Sequence, residues 1–178
     1  MDIQIQKVSS TNKNHVDKFD RKFTVKEKIA LSMEDGKLTC SIVPVQPYEK
    51  EMFVDEDHDE DFSSFIDNDE KTIFLAFVNN QLAGQIKIIS WWNQFAYVDD
   101  LIVNPQFRGL GVGKNLIAEA IRWSKEKRFP GMMIETQDDN VPACKLYESC
   151  GCILQGFDRY VYKNVKPDET ALYWYLVF

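Results

Sequence analysis

The chain has 178 residues, 44% of them hydrophobic, and a formal net charge of −7. That is long and apolar enough for one domain with its own core, spanning 1–178, and it argues against disorder. The acidic excess argues against a nucleic-acid backbone as partner, and no apolar run approaches the roughly 18 residues that span a bilayer. Cys40, Cys144, Cys150 and Cys152 form no Cys-x-x-Cys pair, and His15 and His58 lie in poor company for zinc, so the cysteines read as structural thiols and no metal is expected. Met1 to Lys7 alternates like a strand and lacks a signal peptide's apolar block, so a cytoplasmic location is expected. Oligomeric state is left open, with a homodimer as the assembly to consider.

Residues 1 to 8 read as a first strand. Residues 13 to 35 space Val16, Phe19, Phe23, Ile29 and Leu31 among charges, which predicts one or two helices ended by Gly36. Leu38 to Val45 alternates as a strand that Pro44 and Pro47 end. Between residues 49 and 70, eleven carboxylates stand against Lys50 alone, as a solvated loop or as a funnel for a cationic substrate. Phe62, Phe65 and Ile66 are spaced there as a short helix. A meander follows: strand Thr72 to Val78, a tight Asn79-Asn80 turn, strand Leu82 to Ser90 and strand Phe95 to Val103. Helix Val112 to Lys127 precedes a buried strand, Met132 to Thr136. Helix Val141 to Ser149 has Asn140 as its N-cap and Gly151 beyond its end. Cys152 to Tyr162 and Ala171 to Phe178 complete the strands. Hairpins first and helix-strand alternation later imply an α/β (α+β) fold, a mixed and mostly antiparallel sheet with helices on both faces.

The run Arg108-Gly109-Leu110-Gly111-Val112-Gly113-Lys114 joins a strand to a helix. Alternate glycines let the backbone turn tightly and bring its N–H groups close to a ligand. The first turn of the helix adds unpaired donors and a positive dipole end, so a pyrophosphate suits this cradle. A P-loop fails here, because Arg108 stands where its first glycine belongs and Asn115 follows Lys114. A dinucleotide fingerprint begun at Gly109 puts Lys114 where its third glycine belongs. What fits is Arg-x-x-Gly-x-Gly.

Upstream of that loop lie Asp99-Asp100-Leu101-Ile102-Val103 and Pro105; downstream come Asn140-x-x-Ala143-x-x-x-Tyr147-x-x-x-Gly151. In order and separation these resemble the GNAT superfamily of N-acetyltransferases over about residues 70 to 160. The resemblance implies acetyl-CoA as cosubstrate and a splayed parallel strand pair, Phe95 to Val103 beside Met132 to Thr136. It also implies that backbone groups along Leu101, Ile102 and Val103 pair with pantetheine, that Arg108 to Lys114 hold the pyrophosphate, and that Asn140, Ala143 and Tyr147 line the cofactor's other side.

Acetylating an amine requires removing a proton from an ammonium of pKa about 10.4 and favours returning one to the departing thiolate. Asp99 or Asp100 is the expected base and cation holder; in sequences similar to this one the first of the paired acids is often the functional one, which favours Asp99. Strict alternation puts Tyr97, Asp99, Leu101 and Val103 on one strand face and Asp100 and Ile102 on the other. Tyr147, two helical turns from Asn140, is the expected acid. The strings Trp92-Asn93-Gln94-Phe95-Ala96-Tyr97, Glu135 to Lys145 and Ala171 to Phe178 look most like the streptothricin acetyltransferases within the superfamily. That implies acetylation of an amino group on the β-lysine part of a polycationic antibiotic. Trp92, Tyr97 and Asp99 are the expected substrate contacts, since aromatic faces and a carboxylate suit a cation. Trp91 and Trp92 point to opposite faces if the strand persists through them. A polyamine, an aminoglycoside or a protein N-terminus as acceptor, or a CoA sensor without turnover, are the alternatives.

Overall fold

The computed structural model describes residues 2–52 and 62–178. In chain order its elements are β1 (Ile3–Lys7), β2 (Lys22–Glu34), β3 (Lys37–Glu51), β4 (Lys71–Val78), β5 (Gln81–Ser90), β6 (Ala96–Val103), α1 (Val112–Glu126), β7 (Gly131–Gln137), α2 (Val141–Ser149), β8 (Ile153–Asp158) and β9 (Ala171–Val177). Single 3-10 turns occur at Lys13–His15, Phe62–Phe65 and Pro105–Phe107. The chain divides into two compact units: Met1–Arg21, Met52–Met132 and Val177–Phe178 form one, Lys22–Glu51 and Met133–Leu176 the other. No helix among the described residues is long and apolar enough to cross a membrane.

In the first unit β1 pairs with β4, β4 with β5, and β5 with β6, all antiparallel. The β4–β5 turn is Asn79-Asn80 with φ of 48° and 65°, the left-handed backbone that asparagine tolerates in a two-residue hairpin. On one sheet face α1 buries Val112, Leu116, Ile117, Ala120 and Trp123. Gly84 makes that seat possible: a Cβ there would lie 2.7 Å from the Ile102 carbonyl oxygen and within 3.3 Å of Leu116 and Val112. On the other face Val8, Val16, Phe65, Ile73 and Leu75 form an apolar cluster.

In the second unit β2 and β3 form a hairpin closed by Asp35 (φ 49°) and Gly36 (φ 75°). The helices expected over residues 13 to 35 are therefore replaced by one 3-10 turn and a 13-residue strand. Val25 and Ile29 are the buried residues of β2, and its exposed face carries lysines and glutamates, a mixture that imitates an amphipathic helix. β3 also outruns its expected end at Val45. Its prolines are tolerated because, among the described residues, it pairs with β2 alone in a two-stranded ribbon: Pro44 pairs with Glu27, and Pro47 falls where the register shifts. β8 and β9 are antiparallel, and β8 ends at Asp158 rather than Tyr162. Phe62–Phe65 is a single 3-10 turn in place of the expected short helix, and acidic residues 55 to 61 lie outside the described residues.

Candidate active site

The two carboxylates of β6 do not alternate. Lys87 pairs with Asp100 and Ile88 with Val98, so Asp99 is the extra residue of a β-bulge. Its carboxylate lies 3.5 Å from Lys87 Nζ, and that of Asp100 accepts from Gln85 Nε2 at 2.7 Å. Gln85 and Lys87 are two apart on β5 and share a face, so both acids lie on the same side of the sheet. The expectation that they occupy opposite faces is thus corrected: the extra backbone residue re-aims one side chain.

The environments of the two differ. Arg21 grips both oxygens of Asp100, Nη1 to Oδ1 at 2.8 Å and Nη2 to Oδ2 at 3.3 Å, and reaches Asp17 at 3.0 Å. Gln85 completes the group, donating to Asp17 and accepting from the Asp17 N–H at 2.9 Å. Burial opposes the Arg21 charge, but the hydrogen bonds and charges of Asp100 and Asp17 outweigh it and raise its pKa. The Asp99 side chain is 37% exposed, against 13% for Asp100. Neither Arg21 nor Gln85 was expected from sequence. The readable signal was Gln85, a wholly buried polar residue among the apolar side chains of a central strand.

Tyr97 pairs with Ile89, again on the face of Lys87. Trp91 stacks on Tyr97 with ring centroids 4.6 Å apart. Because β5 stops at Ser90, Trp91 and Trp92 belong to the following turn and not to a strand with opposed faces, and Trp92 is 85% exposed. The aromatic pair beside the acids is therefore Trp91 with Tyr97.

At the far end of β6 the backbone supplies two features. The Ile102 carbonyl points at Gly84 and the Asn104 N–H donates to Ala83, so the groups of Ile102 face β5 and those of Leu101 and Val103 face away. Arg108 Nε donates to the Val103 carbonyl at 3.1 Å. Gly109 and Gly111 then turn through φ of 77° and 87°, and Gly111 is the N-cap of α1. The first bond within the helix runs from the Asn115 N–H to the Gly111 carbonyl, so the N–H groups of Val112, Gly113 and Lys114 point out of its N-terminus. Cβ atoms at Gly109 and Gly111 would meet no heavy atom closer than 3.9 Å. Space, donors, the exposed Lys114 and the positive φ together fit a diphosphate.

In the second unit, Asn140 Oδ1 accepts from the Ala143 N–H at 3.4 Å, capping α2. The buried face of that helix carries Val141, Cys144 and Tyr147, and the Tyr147 ring lies 6.3 Å from that of Trp174. Burial pushes the Cys144 thiol up to about 12, which leaves it a packing residue at neutral pH. Just before the cap, Asp139 accepts from Lys50 at 2.6 Å and from the Tyr48 hydroxyl at 2.8 Å, and Glu169 reaches Lys50 at 2.8 Å. Lys50, counted in sequence as the lone cation of a solvated acidic run, is buried. On β7, Glu135 accepts from the Tyr162 hydroxyl at 2.5 Å. Burial first, then Glu135 and Asp158, push Tyr173 up to about 12.

The family model of the acetyltransferase (GNAT) family matches residues 42–152. Streptothricin acetyltransferase A of Bacillus subtilis (strain 168) is 33% identical over 175 residues, covering 98% of this chain and 99% of its own. A streptothricin acetyltransferase of Escherichia coli is 36% identical over 156 residues, covering 86% of this chain and 84% of its own. Among solved structures, a candidate streptothricin acetyltransferase from Bacillus anthracis str. Ames in complex with acetyl coenzyme A superposes with a TM-score of 0.88 at 37% identity, covering 100% of this chain and 98% of that one. The chain belongs to the GNAT family of acetyltransferases. Its fold class is the expected one, a mixed and mostly antiparallel sheet that includes a parallel strand pair.

Proposed function

We propose that this enzyme transfers the acetyl group of acetyl-CoA to an amino group on the β-lysine part of streptothricin, which inactivates the antibiotic. The observation that carries this reading is similarity along nearly the whole chain to a streptothricin acetyltransferase, and not along the cofactor motif alone. The β6 face agrees with a polycationic acceptor: Asp99 attracts an ammonium, and the Trp91–Tyr97 stack offers it a π face. In this reading the diphosphate lies on the Gly109–Lys114 amides with Arg108 beside it, and the pantetheine amides pair with Leu101 and Val103 where these face away from β5. Asn140 fixes the start of α2, and Ala143 and Tyr147 follow along that helix. The reading also expects the enzyme in the cytoplasm.

The proton steps fall to this chain's own groups. Asp99 takes the proton from the acceptor ammonium, directly or through water, so that its nitrogen lone pair can attack. Tyr147 returns a proton to the departing thiolate, and backbone N–H groups of β6 meet the developing oxyanion. The discriminating assay follows CoA release with a thiol reagent from acetyl-CoA plus streptothricin, spermidine or an aminoglycoside. Release with streptothricin alone is expected, and turnover of spermidine alone would sink the substrate choice. Asp99→Asn should lower kcat about 10²- to 10⁴-fold, the usual span for a lost general base. Asp100→Asn should lower it less, when each is measured well below its own melting temperature.

A further inference from the structure

β6 brings two carboxylates, one residue apart, to a single sheet face, and only one of them can be the base the proposed function requires. Resting on that function, we propose that Arg21 is a positioning residue for the reaction: by gripping both oxygens of Asp100 it fixes the bulge so that Asp99, and not Asp100, meets the acceptor amine.

Four observations support this. Arg21 approaches Asp100 through two nitrogens, and a planar fork sets the orientation of a carboxylate where a point charge would not. Gln85 holds the same carboxylate from β5 and is itself held at both ends of its amide by Asp17, so the grip is braced. The Arg21–Asp100 pair is largely buried, with side-chain exposures of 9% for Arg21 and 13% for Asp100. Finally, the pairing register places the extra residue of β6 immediately beside the gripped one. A buried ion pair adds little stability over apolar packing of the same volume; what it supplies is one fixed arrangement of charges. Here that arrangement occupies both oxygens of the acid that would otherwise compete with Asp99 for a cationic acceptor.

The test compares Arg21→Met, Asp100→Asn, the double variant Arg21→Met/Asp100→Asn and Asp99→Asn with the wild-type enzyme, using streptothricin and acetyl-CoA below each melting temperature. Arg21→Met should lower kcat/KM for the amine about 10- to 100-fold, the scale of a small misplacement of reacting groups. KM for acetyl-CoA should stay within about twofold, because the donor-binding loop is untouched. The double variant should be more active than Arg21→Met, since it removes the more buried of the two carboxylates left without their counter-ion. A wild-type amine kcat/KM in Arg21→Met would overturn the proposal, as would a double variant no better than the single one. Should Arg21→Met not fold, Arg21→Lys keeps the charge and loses the fork. Its amine kcat/KM should fall while acetyl-CoA KM holds, and no change in either would count against the role. Asp99→Asn separates the two levels: if it is inactive while Arg21→Met is normal, only the role of Arg21 fails. If Asp99→Asn is fully active, the choice of base fails and the role of Arg21 goes with it.

Discussion

Each of the two units contains a buried cation held between two carboxylates, and the two clusters are built for different ends. In the first, Arg21 lies between Asp17 and Asp100, with Gln85 as a neutral fourth member. In the second, Lys50 lies between Asp139 and Glu169, with the Tyr48 hydroxyl on Asp139. The guanidinium dictates the angle of the acid it binds, whereas the ammonium serves any acid within reach. The arginine cluster therefore suits a strand where direction matters, next to Asp99. The lysine cluster is the more buried, with exposures of 6% for Lys50 and 1% for Asp139, and it pins the turn ahead of Asn140. The cation's geometry and its place next to Asp99 together separate a group that orients chemistry from one that holds structure.

Breaking the second cluster should give the largest effect on folding. Lys50→Met leaves both Asp139 and Glu169 without their ammonium, Asp139 keeping the Tyr48 hydroxyl, and removing one member of a buried pair costs about 3–5 kcal/mol. For a chain of this size that corresponds to a melting temperature about 10 °C lower, readable by calorimetry. Turnover of the folded fraction should be retained, in contrast to Arg21→Met; equal losses of turnover in the two would erase the distinction drawn between the clusters. Next in size is Tyr147→Phe. The ring keeps its packing against Trp174 and loses one hydroxyl, so kcat should drop about 100-fold, the low end of the span for a lost general acid, with acetyl-CoA affinity nearly intact. An unchanged kcat would remove the acid role from α2.

The parts legible in the sequence were those determined within a few residues. Asn79-Asn80 fixed its own hairpin, Asn140 capped its own helix, and the alternate glycines announced a donor-lined turn before α1. The parts that escaped were set by pairing across the chain. Arg21 finds Asp100 at a separation of 79 residues and Lys50 finds Asp139 at 89. The bulge at Asp99 exists only relative to β5, so counting along β6 alone put the two acids on opposite faces. β2 was misread for a related reason. A two-stranded ribbon buries so little of either face that its charges dominate the pattern, and the period of two disappears among them.

The smallest effect probes how far the lysine cluster spreads its charge. Asp138, next to Asp139, has its pKa raised, chiefly by burial; the Thr170 N–H and the charges of Lys28 and Lys50 pull against that without cancelling it. A raised acid binds more protons folded than unfolded between its ordinary value and its folded one. Stability therefore falls as pH rises through that window and stays lowered above it. Asn at this position removes the charge and keeps an oxygen for the Thr170 N–H, now 3.1 Å from Asp138 Oδ1. Asp138→Asn should then melt higher at neutral pH, by under about 1 kcal/mol once solvent screening is allowed for. The gain should vanish below the ordinary aspartate range, about pH 4, where the wild-type carboxyl is protonated in both states. A variant that melts lower at neutral pH would mean that Lys28 and Lys50 hold Asp138 as firmly as Lys50 holds Asp139, and the cluster would then extend one residue further from the cap of α2.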